Sequence, residues 1–210
     1  MKEFFGNILG WLLSICIAFV IVFLLKTFIG MPTTVKGTSM SPTFFPEEKL
    51  LLSTWSTNFD KVPDRGEIVT FEAPSVELIK HADLSNPTAI YDEDSKSLYE
   101  KVMYYGLGIT KTSYIKRVIG RPGDHVEIKD GHVYINGIIL KEPYISDALK
   151  TDMSLGGEFS DIIVPEGYIY VLGDNRTSSA DSRRFGCIPI SKIEGKVACR
   201  WWPLNKFGTV

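Results

Sequence analysis

"HVEIKDGHVYINGIIL", residues 125–140, alternates apolar with polar or charged positions around two tight-turn dipeptides, Asp130-Gly131 and Asn136-Gly137. A period of two marks half-buried strands, and Asp-Gly or Asn-Gly between such runs is the preferred chemistry of two-residue hairpin turns. The stretch therefore predicts two consecutive hairpins over 125–142. Further runs rich in Val, Ile, Tyr and Phe recur on either side: "KLLLST" (49–54), "EIVTFE" (67–72), "YIKRVIG" (114–120), "YIYVLG" (168–173) and "KVACRWW" (196–202). Each is short and bounded by turn formers, which predicts a mainly β, antiparallel domain. Residues 75–113 are polar, charged and weakly periodic, an insertion between two strands with a short helix expected near 97–105. Residues 145–162 are expected to form a second, shorter loop region. No internal repeat is present.

The amino-terminal end follows a different rule. From Phe4 to Leu25 no residue is charged, and roughly 20 apolar residues suffice for a helix to cross a bilayer core. Trp11 and Phe28 stand at interfacial positions. A cleaved secretory leader has an apolar core of only about 7–15 residues and small residues at its cut, whereas Phe28 is large. The segment is expected to be an uncleaved anchor over 1–30, followed by a β-rich domain over 31–210. Counting Lys2 against Lys26 and Lys36 leaves the orientation open. The net charge of -2 and a pI near 6.0 speak against a nucleic-acid footprint, which needs a basic excess. The three cysteines include no Cys-x-x-Cys pair, so zinc has no sequence support. Cys187 and Cys199 are either a disulfide or two reduced core residues.

Three segments carry candidate chemistry. "KGTSMSPTFFP" (36–46) offers Ser39, between small or flexible residues shortly after the apolar run. A serine needs a base to become a nucleophile. The histidines stand outside any such constellation, and His125 and His132 fall at strand positions. Lys116, inside "SYIKRVIGRPGD", is the alternative base. A lysine titrates near 10.4 and is useless as a base unless burial among apolar side chains disfavours its ammonium. The competing reading is an exposed strand lysine with Arg117 on the opposite face. "GDNRTSSADSRRFG" (173–186) is either a solvated turn or a local network of Asp, Arg and Ser side chains.

Taken together, these blocks resemble those of bacterial type I signal peptidases, of the Gram-positive kind with a single anchor. The resemblance rests on the apolar segment, "SMSPT" (39–43), "RGEIVTF" (65–71), "YIKRVIGRPGD" (114–124) and "GDNRTSSADSRRFG" (173–186), in that order along nearly the whole chain. It implies an antiparallel sheet or partial barrel and a Ser-Lys endopeptidase. Such an enzyme cuts amino-terminal signal peptides from exported preproteins after small residues, in an A-x-A-like pattern. It implies Ser39 as nucleophile, Lys116 as general base, and Ser179 orienting the lysine amine. The Ser39 and Gly37 backbones would form the oxyanion hole, with glycine where enterobacterial relatives carry serine. Asp174, Asn175, Arg176, Asp181 and Arg183 would be structural support, and Met40 would pack beside the nucleophile. No cofactor or metal is implied.

The expected partners are signal peptides of secretory preproteins and membrane lipid, near the secretion translocon, with no nucleic acid. The expected location is the plasma membrane, single-pass, with the amino terminus cytoplasmic and the β domain outside. Phe44, Phe45, Trp201 and Trp202 are candidates to lie against the bilayer or to pack in the core. A self-cleaving repressor of related architecture would carry a DNA-binding helix pair where this chain has its apolar run. A non-catalytic surface relative would lack the serine or lysine present here.

Overall fold

The computed structural model describes residues 10–21, 30–53, 61–75, 86–91, 112–145 and 157–209. Its strands are β1 (Met31–Thr34), β2 (Lys49–Ser53), β3 (Ile68–Glu72), β4 (Ser113–Gly120), β5 (His125–Lys129), β6 (His132–Ile135), β7 (Ile138–Ile139), β8 (Asp161–Ile163), β9 (Tyr168–Leu172), β10 (Ile188–Pro189) and β11 (Ile193–Trp202). They form a seven-stranded sheet in the order β1-β2-β11-β3-β4-β9-β10 and a four-stranded sheet in the order β7-β6-β5-β8. Neighbouring strands pair antiparallel throughout. Among the described residues β1 and β10 do not pair with each other, so the larger sheet is open and not a closed barrel.

The predicted hairpins form the small sheet. Asp130 and Gly131 have φ of 51° and 76°, and Asn136 and Gly137 have φ of 52° and 79°. Two successive positive φ values are what a type I′ turn requires, and Asn, Asp and Gly are the residues that tolerate them. β4 joins the two sheets energetically through its alternation. Ile119 packs with Val126, Ile128, Val133, Ile135, Tyr170 and Leu172 under the small sheet. Its neighbour Val118 packs on the other side with Val69, Phe71, Val171, Phe185 and Ile188. A third cluster, Val35, Met40, Phe44, Leu50, Leu52, Ile68 and Val197, lies beneath the turn that carries Ser39.

β4 pairs with β3 over Ser113–Arg117 but meets β9 only from Arg117 onward. Its first half therefore keeps one edge without a strand partner among the described residues, as does β1 beyond its pairing with β2. Those two edges line one cleft.

Several expectations are refined. Phe44 is fully buried in the third cluster, which decides for the core-packing alternative there, while Phe45 is 44% exposed. Cys187 and Cys199 are free thiols. Cys187 adjoins β10 and Cys199 lies on β11, four interstrand steps away in the sheet order. At about 4.8 Å a step this exceeds disulfide reach. Residues 10–21 are helical and exposed. Among the described residues no helix is long and apolar enough to cross a membrane. The remainder of the expected anchor, the expected helix near 97–105 and most of the 75–113 insertion lie outside the described residues.

Candidate active site

Ser39 sits in a turn between β1 and β2. The turn is closed by bonds from the Ser41 amide to the Thr38 carbonyl (3.0 Å) and from the Phe44 amide to the Met40 carbonyl (2.9 Å). Met40 points inward and is fully buried, so the turn is anchored through its apolar side while Ser39 remains at the cleft. Below it Glu48 is buried, accepting from Arg200 Nη1 (2.9 Å), Lys206 Nζ (3.2 Å) and the Phe45 amide (3.2 Å). Burial raises that carboxyl's pKa, but these donors outweigh it and hold the group below its ordinary value. Arg200 also donates to the Thr43 carbonyl at 3.1 Å, tying β11 to the serine turn.

Lys116, paired with Val69 in the sheet, is 3% exposed. The exposed-strand alternative for it is therefore set aside. Its Nζ donates to Ser39 Oγ at 2.8 Å and to the Ile115 carbonyl at 3.0 Å, and lies 5.3 Å from the Tyr114 ring centre. Burial pushes the amine down to about 8, against the pull of the Asp181 and Asp174 carboxylates. Neutral amine is thus available at mildly alkaline pH, within proton-transfer distance of an alcohol.

The 173–186 block is a buried network and not a solvated turn. Asp174 takes a bidentate bond from Arg117, Nε at 2.9 Å and Nη2 at 2.7 Å. Asp181 takes another from Arg183, at 2.8 and 2.9 Å, and accepts from the Gly173 amide at 3.0 Å. The same Asp181 caps the short helix Ser182–Phe185, whose Ser182 Oγ accepts from the Val171 amide at 2.9 Å. Asn175 reaches the serine turn twice, through its amide to the Ser39 carbonyl (3.0 Å) and its side chain to the Thr38 carbonyl (3.2 Å).

Ser179 Oγ is buried without a hydrogen-bond partner, so the expected bond to the Lys116 amine is not formed in this structure. Gly37 lines the cleft beside Ser39, with open space where a side chain would begin. His125 is bound to Asp161 at 2.6 Å on the exposed β5–β8 pair, and His132 lies exposed on β6. Three participants escaped the sequence reading. Arg117 is buried, because both faces of β4 are covered, and it holds Asp174. Gly173 packs so tightly that a Cβ there would fall 2.2 Å from Ser179 Oγ and 2.5 Å from the Ser39 carbonyl oxygen. Glu142 binds Arg176 across sheets. Strand alternation placed Arg117 opposite Lys116 on the solvent face, and the Glu142 contact spans 34 residues, so neither left a signal.

The cleft occupies about 470 Å³ and is lined by residues including Thr33, Val35, Ser39, Tyr114, Ile115, Lys116 and Ala180. Fold and site together define a mainly β protein that presents a serine alcohol and a buried lysine amine to an extended groove. Residues 8–202 match the family described as signal peptidase, peptidase S26. Signal peptidase IB of Staphylococcus aureus strain COL is 34% identical over 213 residues, covering 96% of this chain and 93% of that protein. Signal peptidase I P of Bacillus subtilis subsp. natto is 32% identical over 206 residues, covering 96% and 92%. A crystal structure of a signal peptidase I from Enterococcus faecalis V583 is 28% identical with a TM-score of 0.40, covering 64% of this chain and 95% of that one. The chain belongs to the signal peptidase, peptidase S26 family, which supports a signal-peptidase-type serine protease function and a membrane association.

Proposed function

We propose that this protein is a membrane-bound endopeptidase that removes amino-terminal signal peptides from exported preproteins, with Ser39 as nucleophile and Lys116 as general base. The observation that carries the reading is the 2.8 Å contact between Lys116 Nζ and Ser39 Oγ inside a cleft where burial lowers the amine's pKa. Neutral Lys116 takes the Ser39 proton as Oγ attacks the scissile carbonyl. The lysinium then protonates the departing amine, leaving an ester on Ser39. Lys116 next deprotonates a water that attacks the ester, and the proton returns to Ser39 Oγ as the peptide acid leaves. The Ser39 amide and the Gly37 backbone are the proposed oxyanion donors. Ser179 is proposed to orient the amine, with a rotation of its hydroxyl toward Nζ needed to do so. Asp174, Asn175, Arg176, Asp181 and Arg183 are proposed as support for the serine turn and not as reacting groups.

The free edges of β1 and of the first half of β4 suit an extended peptide that adds as a strand, so that main-chain bonds give affinity and shallow pockets give selectivity. Thr33, Val35 and Ile115 line the groove, and the proposed preference is for small residues before the cut. The remaining assignments follow from the same reading: an anchor over 1–30, a catalytic domain over 31–210 on the outer face, a cytoplasmic amino terminus, and a position near the translocon. Phe45, Trp202, Leu204 and Phe207 are exposed, and Lys206 Nζ lies 5.0 Å from the Phe45 ring. Apolar rings beside a cation suit a lipid headgroup boundary.

Cleavage of an exported precursor by Ser39→Ala and Lys116→Ala tests the proposal. Each is expected to lose more than about 10³-fold in rate. Full activity in either variant contradicts it.

A further inference from the structure

The segment after β7, residues 140–145, leaves the small sheet and sends Glu142 to Arg176 and Tyr144 to Arg117. The Glu142 carboxylate receives both terminal nitrogens of Arg176, Nη1 to Oε2 at 3.0 Å and Nη2 to Oε1. Tyr144 donates its hydroxyl to Glu142 Oε1 at 2.7 Å, and its ring lies 3.8 Å from the guanidinium carbon of Arg117. Arg176 is 0% exposed, and its Nε donates to the Gly173 carbonyl at 3.0 Å. Gly173 and Asn175 in turn touch the Ser39 carbonyl, while Arg117 adjoins Lys116 on β4 and grips Asp174. The two sides of the Ser39–Lys116 contact are thus held from outside by one short segment.

We infer that Glu142, assisted by Tyr144, is a positioning residue for the hydrolysis, holding Arg176 and Arg117 so that Ser39 Oγ and Lys116 Nζ stay within proton-transfer distance. The inference rests on the peptidase reading above. Its physical basis is that a buried guanidinium without a carboxylate is strongly unfavourable. Arg117 pairs with Asp174 and Arg183 with Asp181, and Glu142 gives Arg176 its two-pronged carboxylate contact. Without it Arg176 is drawn toward solvent, and the Gly173–Asn175 backbone that braces Ser39 is pulled with it. Small misplacements are costly, since an error of about 1 Å lowers rates by up to about 10²-fold.

The test reads acylation of Ser39 in the full-length protein by p-nitrophenyl acetate, followed by intact mass and p-nitrophenolate release. Ser39 Oγ attacks the acetyl carbonyl, its proton passes to Lys116 Nζ and p-nitrophenolate departs, so no signal peptide is needed. Glu142→Gln keeps the side chain's shape and removes its charge. At a temperature well below its unfolding midpoint, its acylation rate is expected to fall about 10-fold or more. The acid limb of its pH profile is also expected to move to lower pH, because removing the Glu142 charge leaves the network around Lys116 more positive and disfavours its ammonium. The groups facing that amine are Ser39 from the serine turn, Tyr114 on its own strand, and Asp174 and Asp181 after β9. Tyr144→Phe keeps the ring on Arg117 and loses one hydrogen bond; it is expected to slow acylation about 3-fold and decides the matter if Glu142→Gln does not fold. A Glu142→Gln rate within twofold of wild type, an unmoved acid limb, or a Tyr144→Phe rate equal to wild type overturns the inference. Wild-type protein that acylates at Ser39 but spares a signal-peptide substrate contradicts the substrate assignment while the variant comparison still stands. Wild-type protein that fails to acylate at Ser39 overturns both.

Discussion

Lys116 illustrates how burial lets a common side chain shed its charge. Its amine is reached by β4 and walled by Tyr114, Ile115 and the serine turn, and burial brings it to about 8. The same shift sets a stability trend. Below about pH 8 the lysine holds its proton in both folded and unfolded chains, at a cost to the fold. Between about 8 and the ordinary value of 10.5 the unfolded chain binds a proton that the folded one does not. Stability therefore rises with pH across that window, and Lys116→Met is expected to flatten the rise in urea midpoint between about pH 7.5 and 9.5. An equal rise in both proteins would show that other groups cause it. Gly173 makes a sharper case. Its backbone approaches Ser179 Oγ and the Ser39 carbonyl too closely for any side chain. Gly173→Ala is expected to keep the fold by circular dichroism and lose about 10²-fold or more in cleavage rate; near-normal cleavage would show that the turn yields freely. At this scale the residues around Ser39 and Lys116 left other uses open, and only the order of the blocks along the chain singled the two out; the structure brings their side chains to 2.8 Å. Arg117 was not legible, since a strand neighbour of a buried lysine is expected on the solvent face, whereas here both faces of β4 are covered.

Among the elements, the hairpins were the most legible, because Asp130-Gly131 and Asn136-Gly137 state both the turn type and the register. Strands β1, β8 and β10 left no signal. They have 4, 3 and 2 residues, too short for alternation to register, and exist because longer neighbours offer them an edge. β4 carries the most structural duties, serving the cleft with its first half and both cores with its second. Gly120, at its end, lets the sheets approach: a Cβ there would lie 2.6 Å from Val126 and 2.9 Å from Val164. Gly120→Ala is expected to lower stability by about 1–3 kcal/mol through overpacking, read as a fall in the urea midpoint with an unchanged slope. An unaltered midpoint would mean that the small sheet shifts without cost.

Across the whole molecule, an apolar chain end, a β scaffold and a cleft on one side combine into a peptidase of the signal-peptidase family. Phe45, Trp202, Leu204 and Phe207 are exposed, and the proposed function sets them against the bilayer. Replacing Phe45 and Trp202 by Ser in protein lacking residues 1–30 is expected to weaken sedimentation with anionic vesicles several-fold; equal binding would place the membrane contact elsewhere. The sequence left Phe44 open between bilayer and core, because burial in a turn depends on what packs beneath it, and the structure places it in the core. The account turns on a lysine that loses its charge beside a serine. The direct measurement is the pH dependence of kcat/KM for a synthetic signal-peptide substrate, with wild type and Lys116→Ala side by side. The expected wild-type profile rises with pH to a limb near 8 and then levels, with Lys116→Ala inactive throughout. A limb above about pH 10, the range of an ordinary lysine, or substantial cleavage by Lys116→Ala, would contradict it.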